Sequence, residues 1–284
     1  MKHAILIQCH TCPEMVRSVI KKLTSDNHYF FVHVDSKYKD YYKFQKLQSD
    51  HVFLTDRRYN VHWGAEEQIY LTLELINKAN SLNLQYDYYH LISGQDYPTC
   101  TNTDFDRFFE DKPPYSFMEL DDHTKITDRF MLFHCNKFFD VRRSLIGNFW
   151  ESSVVNWQRR LTALLSLRPE IGLTPYKGNN WWSLHKSAVD YIIGFCNKHP
   201  EYKRRFRFTS CCDEVFFHTI LFNSSIKPNI VLDDLRYVDW KRKSPDESLP
   251  RLLTETDYNE IKKTKKIFMR KVDLIKSASL IEKF

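Results

Sequence analysis

The sequence predicts an α/β fold with a central, mostly parallel sheet flanked by helices. Short apolar runs alternate with amphipathic helical patterns through the first third of the chain. The run Tyr29 to Val34 (YFFVHV) is apolar almost throughout, as in a strand covered on both faces. Polar and charged residues gather at or just beyond the run ends: Asp35, Arg57, His62, Trp63, Ser93 and Asp96. Open α/β sheets bind their ligands there.

Each element has its own signal. Ala4 to Gln8 is an apolar run and the first expected strand. Pro13 and Glu14 then open a helix whose Met15, Val16, Val19, Ile20 and Leu23 share a face. Strands follow at Tyr29–Val34, Val52–Thr55 and Tyr88–Ile92, with a helix over about 65–80. The last of these strands runs into SGQDYP, Ser93 to Pro98. The second half is less regular. Helix is expected over 105–109, 154–167 (carrying Trp157, Leu161, Leu164 and Leu165) and 186–197; strand is expected over 115–120 and within 230–239. Between them YKGNNWWSL, 176–184, reads as a turn feeding a strand, and SPDESLP, 244–250, as a polar loop. With no repeat or linker, 1–284 is expected to be one domain of two halves, a regular one to about 110 and a less regular one from about 111.

Composition narrows the function. Six glycines in 284 residues, with neither GxxxxGK[ST] nor GxGxxG, argue against a glycine-rich phosphate loop. A net charge of +6 suits an anionic ligand or an anionic membrane surface, and it is too small to imply nucleic acid. Seven cysteines without paired zinc spacing point to reduced thiols and a cytoplasmic setting. The start, MKHAILIQ, is too short for a signal sequence, and no run approaches the ~20 apolar residues of a membrane span. The basic tail over 262–271 reads as a solvated face or a peripheral membrane contact.

The stretch 209–219, TSCCDEVFFHT, holds the candidate chemistry. Phe216, Phe217 and Ile220 set one apolar helical face, which puts Ser210, Asp213 and Glu214 at or near the helix N-terminus. Two readings fit: first-turn acids favoured by the helix dipole, or a general base, Glu214, at the mouth of a cleft.

The ordered set VHVD, HWG, LISGQDYP, GNNWWSL, CCDEVFFHTIL, RYVDW and FMRKVD resembles the core-2/I-branching glycosyltransferase family, from about Ala4 to Asp273. That family includes β1,6-N-acetylglucosaminyltransferases and peptide O-xylosyltransferases. The resemblance implies a GT-A-type nucleotide-sugar fold and an inverting, metal-independent transfer from a UDP-sugar (GlcNAc first, xylose second) to a glycan or lipid-linked saccharide. Glu214 takes the family's catalytic-base position, with Asp213 capping the helix or touching the sugar. Arg251 and Lys271 correspond to the two cations that neutralise the diphosphate. Asp35, Trp63, Gly64 and Ser93 fall at donor-binding positions, with Asp96 anchoring the Ser93 loop. Glu119 matches an acid that binds the acceptor sugar. Trp181, Trp182 and Trp240 are either core or sugar platforms, with Trp240 favoured for the acceptor. The literal DxD at Asp104–Asp106 starts a predicted helix and reads as structural, and His10, His33 and His62 form no metal set. Lacking the stem, anchor and cysteine framework of the animal members, the chain resembles a bacterial-type enzyme on the cytoplasmic side. A non-catalytic nucleotide-sugar or glycan binder on the same fold is the alternative.

Overall fold

The computed structural model describes residues 1–110, 112–121, 130–134, 138, 145–162, 168, 171–242 and 248–284. Strand β1 (His3–Cys9) is buried along its whole length, and its side chains alternate between two cores. Ala4 and Leu6 join Phe31 beneath helix α3 (Glu67–Asn80). Ile5 and Ile7 join Phe30 and Val32 beneath helix α1 (Pro13–Leu23). Both faces are covered, which is why the strand sequences are apolar runs instead of alternating patterns.

Around β1, strands β2 (His28–Val34), β3 (Val52–Leu54) and β4 (Tyr88–Ser93) pair in parallel. The sheet continues through β7 (Trp182–His185), β6 (Ser116–Met118) and β8 (Ile230–Val231), in the order β3-β2-β1-β4-β7-β6-β8. Only β7 runs against its neighbours. The expected architecture is therefore the one observed. The two halves expected at 1–110 and 111–284 share this sheet through the β4–β7 pairing. A second sheet, β5-β10-β9, pairs Asp96–Pro98 with Phe268–Arg270 and Arg236–Val238. The apolar run at 230–239 thus splits between two sheets, and part of the basic tail becomes a buried strand.

Helices α4 (Asn102–Glu110), α5 (Leu145–Thr162), α6 (Lys186–Lys198) and α8 (Asp213–Phe222) complete the layers, with the short α2 (Tyr42–Gln45) and α7 (Pro200–Arg205) between them. Helices α9 (Tyr258–Thr264) and α10 (Ala278–Glu282) close the chain. Helix α5 starts nine residues earlier than the pattern predicts, and Trp157 lies exposed on it. Leu164, Leu165 and most of the expected loop 244–250 lie outside the described residues. Helix α8 is buried on every side from Val215 to Phe222, so a single apolar face understates its depth.

Two internal features fix the geometry. Gly94 follows β4 where a Cβ would come within 2.9 Å of Cys9 Cβ, so the β4 loop approaches β1 closely only as glycine. Arg236 is buried on β9 and donates to Ser183 Oγ (2.9 Å), Trp182 O (2.8 Å), Leu91 O (3.0 Å) and the Asp234 carbonyl. Burial pushes this guanidinium down to about 10. It ties the second sheet to the β4–β7 junction of the first.

Trp182 corrects an expectation. It is fully buried, edge-on to Phe217, and offers no face to a sugar. Trp182→Ala is expected to cost about 3–5 kcal/mol of stability, read by chemical denaturation. A sugar platform would instead leave the denaturation midpoint unchanged and weaken acceptor binding.

Candidate active site

Glu214 occupies the first turn of α8, with its side chain 29% exposed. Its neighbour Asp213 is buried, so Glu214 is the accessible acid of the pair. The N-cap residue is Cys212, and no side chain caps α8 there. Lys177 Nζ lies 3.4 Å from Glu214 Oε2 and also pairs with Asp121. The loop carrying Lys177 is held from both ends. Asp121 N–H donates to Lys177 O at 2.8 Å, and Gly178 N–H donates to Glu214 O at 3.0 Å.

Gly178 is the tightest point. A Cβ there would sit 2.0 Å from Glu119 O and 2.5 Å from His218 Nε2. Burial pushes His218 down to about 4, so the ring is neutral. Its Nε2 faces Glu119 O at 2.9 Å as a donor. Next along the chain, Asn179 Nδ2 donates to Glu119 Oε2 (2.7 Å) and Asp234 Oδ2 (3.0 Å). Desolvation, then the charges of Asp234 and Asp121, push Glu119 above the usual carboxylate range. Burial does the same to Asp234. Glu119 therefore lies in an acidic cluster beside the loop that carries Lys177 and Gly178.

The donor-side expectations divide. Gly64, at φ +69°, accepts from Cys211 N–H at 2.8 Å, which lays the Trp63–Gly64 loop against the approach to α8. Trp63 is 41% exposed. Asp35, beyond β2, caps its own turn through Lys37 N–H (2.8 Å) and pairs with Lys37 Nζ (3.1 Å). Asp96 accepts from Ser93 N–H and pairs with Arg270 at 3.2 Å, so it anchors that loop. The Ser93 hydroxyl is engaged by Gln95 N–H (3.0 Å) and by Arg270. The Arg270 guanidinium lies 4.6 Å over the Trp181 ring, which makes that tryptophan a shelf for the cation. Lys271 follows Arg270, and its backbone is held by two segments: its carbonyl accepts from Leu253 N–H at 2.8 Å, and the next residue, Val272, donates to Gln95 O. Trp240 is 55% exposed.

Arg251 corrects a second expectation. Its Nε and Nη2 donate to Asp239 (2.8 and 2.6 Å), Nη1 and Nη2 to Asp257 (3.0 and 2.7 Å), and Nη1 to Leu252 O (3.1 Å). All five guanidinium hydrogens are used, and the residue is 3% exposed. No donor remains for a diphosphate. Arg251 instead fixes the segment whose Leu253 holds Lys271. The spacing pattern missed Lys177, Asn179, Asp234, Arg236 and Arg270. Four of these stood inside quoted motifs, Lys177 and Asn179 in YKGNNWWSL, Arg236 in RYVDW and Arg270 in FMRKVD, beside the residues that drew attention.

The sequence profile of the Core-2/I-Branching enzyme family matches residues 12–262. The chain belongs to that family. Within it, the chain is similar to xylosyltransferase sqv-6 of Caenorhabditis elegans, 23% identical over 235 residues that cover 80% of this chain and 27% of the relative. It is similar to human xylosyltransferase 2, 25% identical over 237 residues, covering 80% and 25%. This family member thus spans about a quarter of the length of the curated relatives it matches. Among solved structures, apo mouse xyloside xylosyltransferase 1 superposes with TM-score 0.36 at 8% identity, covering 95% of this chain and 97% of that one. The galactosyltransferase LgtC, solved with donor and acceptor sugar analogues, gives 0.41 at 10% identity, covering 95% and 86%. TM-scores this low leave the fold argument to the strand order itself. Among the described residues no helix is long and apolar enough to cross a membrane.

Two outcomes test this geometry. Arg251→Ala is expected to cost about 3–5 kcal/mol by leaving Asp239 and Asp257 uncompensated, read by denaturation. A direct diphosphate contact would show the reverse: unchanged stability and weakened UDP binding. Glu119→Gln is expected to raise the Tm at pH 7. The raised carboxyl favours its protonated form in the folded chain, so its charge opposes folding above that range. The gain should shrink as pH falls and vanish below about 4.3, where Glu119 is protonated folded or unfolded. A gain independent of pH would exclude this cause.

Proposed function

We propose that the chain is an inverting, metal-independent glycosyltransferase, one domain that moves a sugar from a UDP-sugar to a hydroxyl of a glycan acceptor. The observation that carries this is the ion-paired, accessible Glu214 at the start of a deeply buried helix, in a core-2/I-branching family member. In a single displacement the Glu214 carboxylate takes the acceptor hydroxyl proton. The freed oxygen attacks the anomeric carbon from the side opposite the diphosphate, and UDP leaves with the bonding pair. One base is enough, and the configuration inverts. Lys177 keeps the carboxylate oriented toward the acceptor. Asp213 supports the turn from within.

Charge on the departing diphosphate is met by Lys271, with Trp63, Gly64, Ser93 and Asp35 around the nucleotide. Arg251 takes part indirectly, through the segment that holds Lys271. Glu119, Trp181 and Trp240 receive the acceptor. Metal independence rests on this cation and on the placement of the DxD, whose Asp106 is engaged by His28 near the amino ends of the strands. The relatives' names favour xylose as donor, with GlcNAc the second candidate. A lipid-linked saccharide acceptor at the inner membrane face would suit the basic stretch over 262–271.

The test is UDP release from UDP-xylose and UDP-GlcNAc with a panel of glycan acceptors. Glu214→Gln is expected to fold and bind UDP normally while kcat falls by roughly 10²–10⁴. Turnover retained in Glu214→Gln refutes the assignment of the base. Activity is expected without added Mn²⁺ or Mg²⁺ and unchanged by either; a strict requirement for one returns a metal to the diphosphate.

A further inference from the structure

At the opposite end of the sheet, three potential ligands converge. His3 and His28 are the first residues of β1 and β2 and stand side by side in the parallel register. Asp106 reaches them from α4. His28 Nε2 lies 2.6 Å from Asp106 Oδ1, and His3 Nε2 lies 3.5 Å from the same oxygen. All three ligand atoms fall within 4.8 Å of one another. Both imidazoles are fully buried, and Asp106 is 20% exposed.

The hydrogen bonding of the outer nitrogens matters most. His28 Nδ1 is 2.5 Å from Leu23 O, a contact only an N–H can make. A singly protonated ring then presents a lone pair at Nε2, facing a carboxylate oxygen. His3 Nδ1 is 3.0 Å from His90 Nε2, and His90 Nδ1 is 2.9 Å from Ser183 Oγ. His3 Nε2 has no hydrogen-bond partner among the described residues, although it is buried and aimed at Asp106. One proton serves only one of the two nitrogens that converge on this oxygen; a cation serves both.

We propose that His3, His28 and Asp106 form a structural zinc site. Two imidazole nitrogens and a carboxylate are a borderline donor set suited to zinc. His28 already has an outer partner that zinc-binding histidines use, a backbone carbonyl, and the outer nitrogen of His3 is engaged by the His90 ring. Zinc bonds of 2.0–2.2 Å in a tetrahedron separate ligands by about 3.3 Å. The His3–Asp106 distance already suits this, the His28–Asp106 pair must open, and Asp106 is the member at the surface. The rings of Phe105 and Phe109 pack against His3, at 5.3 and 5.4 Å, and Phe105 against His28, at 5.2 Å. Asp106 is the solvent-exposed member, and on its side a water would complete the four ligands. The seven residues of β1 put this site roughly 20 Å from the strand ends that would bind nucleotide. Its role is to clamp β1, β2 and α4 together.

The test uses the full chain, purified without a histidine tag, stripped with chelator and dialysed with or without zinc. One zinc per chain by elemental analysis is expected, with a rise in Tm, for the wild type and for the exposed-site control His199→Gln. His28→Gln and Asp106→Asn should lose both effects, with zinc affinity at least tenfold weaker. No retained zinc in the wild type overturns the proposal, as does equal zinc uptake in these two variants. If the variants fail to fold, Co²⁺ bound to the wild type decides: intense visible bands of a four-coordinate ion support the site, and the weak bands of an octahedral ion refute it. None of these readouts involves sugar transfer, so the outcome is independent of the proposed function.

Discussion

Everything at the candidate site depends on one close approach, the passage of the Gly178 backbone between the end of β6 and the first turn of α8. Its missing side chain lets Glu119 O, His218 and Glu214 O share a space that any Cβ would occupy. Through this contact the backbone at Glu214 and at Glu119 is fixed to one loop, and the Lys177 and Asn179 side chains of that loop reach the two carboxylates. If Glu214 is the base proposed above, this fixed backbone is where positioning would contribute to rate. Asp213 and Glu214, adjacent in sequence, are separated in role by burial alone.

Three cations on the second sheet and its flanks do different work because of what surrounds them. Arg236 is buried under neutral acceptors and acts as a bolt between sheets. Arg251 is saturated by two aspartates. Arg270 is spread over Trp181 and held by Asp96. A guanidinium that has used all its hydrogens on carboxylates gains nothing from a phosphate, because the exchange would strand the carboxylates in a buried setting. For that reason Arg251 is not the cation that the proposed transfer would use on a diphosphate, and of the two expected cations only Lys271 remains in that proposal.

The polar residues inside the sheet connect its two ends. From Asp106 a run of contacts passes through His3, His90, Ser183 and Arg236 to Asp234 and Asn179, next to Glu119. Burial keeps His3 and His90 well below the usual histidine range, so the run is built from neutral rings at its centre. It gives buried polar atoms their partners where an all-apolar core would have left none.

The sequence by itself determined the architecture. The near-continuous apolar run YFFVHV, the helix signal at Pro13–Leu23 and the ordered motifs all act locally, so they are readable from neighbours in the chain. It also determined where to look: DEVFF, GNNWW and FMRKVD all lie at the site. Only the tertiary structure decided which residue in each motif is buried or consumed by a partner and which is left accessible. Trp181 and Trp182 are indistinguishable as letters, yet strand alternation sends one to the core and the other beneath Arg270. Arg251 matched by spacing, yet Asp239 and Asp257 consume it. His3 and His28 are 25 positions apart without a motif, and only parallel register sets them together. Burial and pairing partners are fixed by contacts between segments distant in sequence, and no local pattern encodes them.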